Sequence, residues 1–358
     1  MSEENISDMN GAYFDSYEDL EIHQLMLTDK PRQEAYQNAI LGNRSLFEGK
    51  TVLDVGTGTG ILSIFCAQAG ARKVFAVDAS NVARLAREVV RENGFEEVID
   101  VFECRIEEFQ LPNGYEKVDI IVSEWMGFYL LHEGMLDSVI YARDKFLKPD
   151  GLMFPDTATI FVAPCSVPSR FDELEQLTGV SMKCFGRELR KQKSDKPEIM
   201  SVSDQQLLHE GHIMTWFDLT EISIDDLNAF DMKEVLIIQK SGKFQGVCLW
   251  FDCSFPSSDS NHMANEVVLS TNPRCPPTHW KQSVILLPEN ACEIVERQDP
   301  IAFSLNLTRN ADHRRRYNLQ LTLLDAEKEE HGLPCDCVMT KCILMKAHLQ
   351  KMEVDHNN

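Results

Sequence analysis

Short apolar runs and helical stripes alternate along the first half of the chain. Residues 51–56, Thr-Val-Leu-Asp-Val-Gly, read as a buried strand; glycines follow at once, and 61–69 carries a helical pattern. A second strand is expected over 73–78 and a helix over 80–92, where Val82, Leu85, Ala86 and Val89 share one stripe. Residues 98–103 and 118–123 predict two further strands, and 135–147 another helix, stopped by Lys148-Pro149-Asp150-Gly151. Strands and helices in this alternation build a doubly wound, mostly parallel sheet.

After Phe154-Pro155-Asp156 the pattern changes to short β-rich runs at 159–162, 235–239, 247–251, 284–287, 301–307 and 319–323. These predict an antiparallel sandwich or barrel. A polar, partly helical stretch over 171–200, carrying Arg187, Arg190, Lys191, Lys193 and Lys196, interrupts the β pattern and reads as an excursion from it.

Composition narrows the class. At 358 residues the chain is long enough for two domains, and 43% hydrophobic residues supply ample core. No apolar run approaches the roughly 20 residues of a membrane span, and the acidic start Met-Ser-Glu-Glu-Asn has no signal-peptide apolar region. A soluble protein of the cytoplasm, the nucleus or both is expected. The eleven cysteines, scattered and odd in number, read as reduced thiols. Their densest group, Cys335, Cys337 and Cys342, shows no His or fourth Cys at zinc-site spacing, so buried thiols on two neighbouring strands are expected there and no metal. The net charge of −22 repels nucleic-acid phosphates and attracts cationic partners. Neither direct nucleic-acid binding nor membrane binding is expected.

The segment Val55-Gly56-Thr57-Gly58-Thr59-Gly60 leaves a strand and opens a helix. Glycines there let a ligand approach the backbone, and the helix start offers free N–H groups. Asp78, closing the next strand, is placed to accept both hydroxyls of a ribose. A nicotinamide dinucleotide would use the same logic, and a glycine loop that only makes a tight turn is the bland alternative. Two details favour S-adenosylmethionine. Asp54 precedes the loop, as in the Asp-x-Gly-x-Gly pattern of Rossmann-like methyltransferases. Asp78 follows Gly60 by 18 positions, with a further acidic pair, Glu107-Glu108, after the third strand.

Two more segments carry chemistry. Ser123-Glu124-Trp125-Met126-Gly127 runs on to Leu131-His132-Glu133-Gly134-Met135-Leu136, placing two carboxylates on one loop beyond a strand. Pro277-Thr278-His279-Trp280-Lys281-Gln282 lies in the β-rich half. A guanidinium is planar, always charged, and presents its N–H donors as a fixed fork. Two carboxylates can bind that fork bidentately and orient one terminal nitrogen. Holding it asymmetrically localises electron density on the nitrogen that is to react, so much of the catalysis is positioning and electrostatics.

Together with Tyr13-Phe14-Asp15-Ser16-Tyr17 near the start, these segments resemble the protein arginine methyltransferase family over about residues 13–323. The paired glutamates look like its double-E loop, and Thr-His-Trp like its second active-site loop. The resemblance implies a helical lid over the cofactor at 1–45, a Rossmann-like S-adenosylmethionine domain at 46–155, and an antiparallel β-barrel domain at 156–350. A helical dimerisation arm at about 167–205 would make the protein a homodimer. The implied reaction is methyl transfer from S-adenosylmethionine to arginine-rich proteins, such as histones or RNA-binding proteins, giving mono- and asymmetric dimethylarginine.

The resemblance also implies individual roles. Glu124 and Glu133 hold the substrate guanidinium, with Glu133 as proton acceptor. His279 pairs with Asp29, as a proton relay or as a clamp on the lid. His23 reaches the ribose, Arg32 the methionine carboxylate and Glu107 the adenine, beside Asp54, Gly56, Gly58, Gly60 and Asp78. Tyr17, Met26, Met135 and Trp280 line the arginine pocket. The chain departs from the family in three places: Asp78 stands where Glu is usual, Pro31 falls in a normally helical segment, and 171–200 lacks the arm's tryptophans. Rival readings are a methyltransferase of a small guanidino compound and an inactive arginine-binding scaffold. The intact glycine loop, both glutamates and the β domain argue against them.

Overall fold

The computed structural model describes residues 19–168, 170–258, 266–332 and 335–356. Two helices come first, Leu20–Thr28 and Lys30–Leu41. Asp29 ends one and caps the next, its Oδ1 accepting from the Arg32 N–H at 3.1 Å, so Pro31 falls in the first turn. Proline is harmless there because that turn's N–H groups have no helical partner. The second helix buries Ala35, Tyr36, Ala39 and Ile40.

Five parallel strands follow: β1 (Thr51–Val55), β2 (Lys73–Asp78), β3 (Ile99–Glu103), β4 (Val118–Val122) and β5 (Leu147–Phe154). Their order is β3-β2-β1-β4-β5. Every residue of the central β1 is buried, as its unbroken apolar run requires when helices cover both faces. The chain winds outward from β1 to β3, then crosses back to β4. That reversal opens a crevice beyond the carboxyl ends of β1 and β4, where doubly wound sheets bind ligands. The expected helix stop at 148–151 is instead taken into β5. Val118 pairs Leu147 and Ile120 pairs Leu152, so the Lys-Pro-Asp-Gly turn bulges out of the strand between two paired positions.

The second half is antiparallel. Its strands are β6 (Thr157–Cys165), β7 (Glu198–Met200), β8 (His212–Asp218), β9 (Ala229–Ile237), β10 (Gly242–Phe244), β11 (Gly246–Ser254), β12 (Val268–Ser270), β13 (Gln282–Leu286), β14 (Glu293–Val295), β15 (Pro300–Arg309) and β16 (Tyr317–Leu324). A six-stranded sheet runs β7-β13-β11-β6-β8 with β12 on β11; β16-β15-β9 and β10-β14 form smaller sheets. The excursion holds helices Arg170–Thr178 and Lys183–Lys193. Arg190 is buried at its base, donating from Nε to the Leu287 carbonyl at 2.8 Å and from Nη1 to that of Val167 at 3.0 Å.

One continuous apolar core runs through both halves. Tyr36 shows how they are joined. Its hydroxyl donates to the Ser123 carbonyl at the end of β4, and its ring meets Phe255 of the β domain edge-on, with centroids 4.9 Å apart. The chain closes with a helix at Thr340–His356, and residues 335–339 before it are not strand. The two neighbouring strands expected around Cys335, Cys337 and Cys342 are therefore replaced by a loop and a helix start.

Candidate active site

The crevice is floored by the loop after β1. Gly56, Gly58 and Gly60 all have positive φ, at 74°, 54° and 87°. A side chain on Gly56 would strike the Met135 methyl, 2.2 Å from the ideal Cβ position, and one on Gly58 would meet the His23 ring at 3.5 Å. His23 and Met135 thus lie directly over the glycines. No side chain caps the helix Ile61–Gln68 that follows, so its first N–H groups face the crevice.

Carboxylates fix this loop. Asp78, at the end of β2, accepts from the Gly58 N–H and the Ser80 N–H at 2.8 Å each, and from the Ser80 hydroxyl at 2.6 Å. Asp54 is wholly buried and accepts from the hydroxyls of Thr57 (2.7 Å) and Ser63 (2.6 Å) through Oδ2. Burial pushes its carboxyl up to about 6, against the lowering by those two hydroxyls. Its Oδ1 is buried without a partner among the described residues. A glycine cradle, an unspent buried acceptor and an acidic residue ending the next strand fit a nucleoside-bearing cofactor. Glu107 stands at the rim, its carboxylate accepting from the Ser138 hydroxyl at 2.7 Å.

The acidic loop leaves β4 one residue after the strand. Ser123 ties it to β1, donating its hydroxyl to the Val55 carbonyl at 2.7 Å. Gly127 and Leu130 exchange backbone hydrogen bonds of 3.0 and 2.9 Å, closing a tight hairpin. Gly127 is required there, since a Cβ would lie 2.1 Å from the His132 carbonyl oxygen. Tyr129, Leu130 and Glu133 take positive φ, which costs non-glycine residues energy and concentrates at functional sites.

Both glutamates are held rather than left loose. Glu124 Oε2 accepts from Arg32 Nε at 2.9 Å and Nη2 at 2.7 Å, while Oε1 accepts from the Met126 N–H at 3.1 Å. The two side chains are each only 8% exposed, so the pair is strong in place and costly to break. The structure therefore gives Arg32, expected to serve the cofactor, a direct role in orienting Glu124. Glu133 is clasped through its backbone: its N–H donates to the Arg315 carbonyl, and Arg315 Nη1 donates to its carbonyl, both at 2.8 Å.

The second loop meets the first. His279 places Nδ1 2.6 Å and its backbone N–H 2.8 Å from Asp29 Oδ2. Burial pushes the Asp29 carboxyl up, but its hydrogen bonds to His279 and the Arg32 N–H outweigh this and leave it below the usual value. Trp280, expected to line the substrate pocket, is only 4% exposed. Its Nε1–H donates to the Met126 carbonyl at 2.9 Å and its ring packs on Phe251, so it braces the acidic loop from behind. Met26 is half-buried, and its carbonyl accepts from Arg32 Nη1 at 3.3 Å and Gln33 Nε2 at 3.1 Å. Tyr17 lies outside the described residues.

Sequence reasoning did not reach Tyr36, Arg315 or the Arg309–Asp137 ion pair, 2.7 Å long, which ties β15 to the helix after Glu133. Only the basic turn Arg314-Arg315-Arg316 in so acidic a chain carries a signal.

Comparisons with known proteins agree with this geometry. Residues 156–326 match the family described as the arginine methyltransferase oligomerization subdomain, and residues 40–151 match that of ribosomal protein L11 methyltransferase. The chain is 37% identical over 327 residues to protein arginine N-methyltransferase 6 of Danio rerio, covering 89% of this chain and 91% of that protein. It is 38% identical over 315 residues to protein arginine N-methyltransferase 1.1 of Arabidopsis thaliana, covering 87% and 77%. Among solved structures, the Trypanosoma brucei PRMT1 enzyme-prozyme heterotetrameric complex with AdoHcy matches with a TM-score of 0.75 at 37% identity, over 86% of this chain and 94% of that one. The chain belongs to the protein arginine N-methyltransferase family, enzymes that move methyl groups from S-adenosylmethionine to the guanidino nitrogens of arginine in proteins.

Proposed function

We propose that this enzyme is of type I, producing monomethylarginine and then asymmetric dimethylarginine. The observation that carries the reading is Met135. It follows Glu133-Gly134, and its methyl lies against Gly56, between the acidic loop and the cofactor cradle. Methionine is unbranched and flexible, so it fills space there yet yields to one methyl group. The methylated nitrogen keeps room to react again. The flipped orientation would put that methyl against Glu124 or Glu133 and break a charged contact.

S-adenosylmethionine, when bound, supplies an electrophilic methyl. The glycine loop and Asp78 would hold its nucleoside end. Glu124, already fixed by Arg32 and Met126, presents a carboxylate of set direction to the substrate guanidinium, and Glu133 shares the fork and accepts the released proton. The His279–Asp29 pair acts as a clamp. One aspartate oxygen takes both His279 donors while the other caps the lid helix, locking the N-terminal helices to the β domain. Arginine-rich protein segments suit the strongly negative chain.

The test is incubation with labelled S-adenosylmethionine and arginine-rich peptides, then mass spectrometry with fragments that separate the dimethyl isomers. Asymmetric dimethylarginine should dominate; a mainly symmetric product, or monomethylarginine alone after long incubation, excludes type I. We further propose a homodimer in which the arm docks on a second copy's Rossmann domain. Leu177, Val180, Met182 and Phe185 are exposed apolar side chains on the arm. Sedimentation should show dimers that become monomers when the arm is replaced by a short linker; a fully active wild-type monomer at micromolar concentration refutes this.

A further inference from the structure

A second cluster of chemistry-bearing side chains lies away from the crevice. The strand β15 meets the Rossmann domain at Arg309, through Asp137. Along the strand to Ala302 is seven residues, roughly 24 Å at the ordinary rise. Beside Ala302, the chain after β16 brings together His331, Cys335, Cys337 and Cys342. Their ligand atoms all lie within 4.8 Å of one another. His331 Nε2 is 3.1 Å from Cys335 Sγ, 3.2 Å from Cys342 Sγ and 3.6 Å from Cys337 Sγ, and the Cys335 and Cys337 sulfurs are 3.2 Å apart.

Hydrogen bonding does not explain this convergence. One imidazole nitrogen carries a single hydrogen or a single lone pair, so it satisfies one sulfur and not three. Nor does a disulfide, which needs about 2.05 Å between sulfurs and would leave the third thiol over. A tetrahedral zinc ion does explain it. With Zn–S near 2.3 Å and Zn–N near 2.0 Å, ligand atoms stand about 3.5–3.8 Å apart, inside the span observed. Three thiolates and one imidazole leave no open position, the mark of a structural site, and soft sulfur ligands reject calcium and magnesium.

We propose that His331, Cys335, Cys337 and Cys342 bind one zinc ion that staples the C-terminal helix to the three-stranded sheet. Binding displaces the thiol protons and changes no oxidation state. The need for a staple is visible locally. Among the described residues the apolar cluster at this place has Val235, Ala302, Cys337, Met339 and Cys342 as its buried members. The helix Thr340–His356 leaves Ile343, Leu344 and Leu349 exposed, so little packing retains it. Cys342, in its first turn, is the buried link. The sequence alone predicts no metal here, because His-x3-Cys-x-Cys-x4-Cys is not a common zinc spacing; the fold brings His331 in as a fourth candidate ligand.

The experiment uses the full chain without a polyhistidine tag, purified under reductant and without chelator. Mass spectrometry of the metal content should give about one zinc per chain. Cobalt substitution should give a thiolate-to-cobalt charge-transfer band and intense tetrahedral ligand-field bands. Cys337→Ser, Cys342→Ser and His331→Ala should each lose zinc to a competing chelator at least about tenfold more readily. Cys184→Ser, on the exposed arm, should keep the wild-type content. If the single variants misfold, mercurial titration of the wild type decides, because zinc should appear in step with thiol modification. Wild type with less than about a tenth of an equivalent after reconstitution overturns the proposal, as does a Cys335–Cys337 disulfide under reductant or unchanged zinc when Cys335, Cys337 and Cys342 are all replaced by Ser.

Discussion

Residues 56–60 and residues 124–133 leave the carboxyl ends of neighbouring strands and face the same crevice. In the first loop the positive φ angles fall on glycines, where they cost little, and the fixing contacts come from Asp54, Thr57, Ser63, Asp78 and Ser80, all within about one βαβ unit. In the second the positive φ angles fall on Tyr129, Leu130 and Glu133, each costing roughly 1–3 kcal/mol. The contacts that offset this come from Arg32, Trp280 and Arg315, far away in the chain. The glycine loop is thus built within one unit, whereas the placing of the two glutamates depends on the N-terminal helices and the β domain closing around them. Binding of the cofactor and turnover should be separable by mutation.

Glu124→Gln should give the largest effect. It keeps the shape but removes the charge facing Arg32 and, in the mechanism proposed above, the substrate. Turnover should fall by at least about 100-fold, the scale of losing a preorganised electrostatic contact. Cofactor affinity measured by calorimetry should stay within a few fold. Turnover near wild type would remove Glu124 from the mechanism.

Asp54→Asn probes the cradle through pH. The folded carboxyl titrates near 6, above its ordinary 3.8. Its contribution to stability is therefore complete below about pH 4 and lost as pH rises through about 6. That displacement is worth roughly 3 kcal/mol. Denaturant titrations should show the Asn variant gaining on wild type by that order between about pH 4 and pH 7; a difference independent of pH sinks the assignment.

Gly58→Val puts a β-branched residue at φ 54°, beside the His23 ring. The strain, roughly 1–3 kcal/mol, and the lost approach to the backbone should weaken S-adenosylmethionine binding by about ten- to a hundredfold while the circular dichroism stays native. Unchanged affinity would reduce the loop to a turn. Arg315→Ala is the mildest and most discriminating change. It removes the side-chain clasp on the Glu133 carbonyl, so kcat should fall about tenfold through misplacement, with cofactor affinity untouched. Loss of affinity in step with kcat would mean that the two loops are not separately built.

Much of the first loop was legible because its signals are local. The run at 51–56, the three glycines and Asp78 each follow from strand, turn and helix-start chemistry within 30 residues. Glu124 and Glu133 were found as a pair, but their holders were not. Arg32 lies 92 positions from Glu124 and Arg315 182 from Glu133, and no periodicity links such distances. The motif names Trp280, but not that its Nε1–H would meet the Met126 carbonyl, because a motif does not say which way a ring points. Likewise, the turn at 148–151 was visible, but not that a parallel strand would carry it as a bulge.

The sequence by itself determined the two-part architecture, the glycine cradle and the types of side chain available for guanidinium chemistry. These rest on patterning and local conformational preference, which act over a few residues. Tertiary structure alone decided that Arg32 orients Glu124, that Arg315 clasps Glu133, and that His331 comes to lie among the three cysteines. Each requires groups distant in the chain, or separated by an irregular loop, to meet within hydrogen-bond or ligand distance. Only the closing of the whole core fixes such meetings, because the entropy cost of bringing them together is met by packing elsewhere.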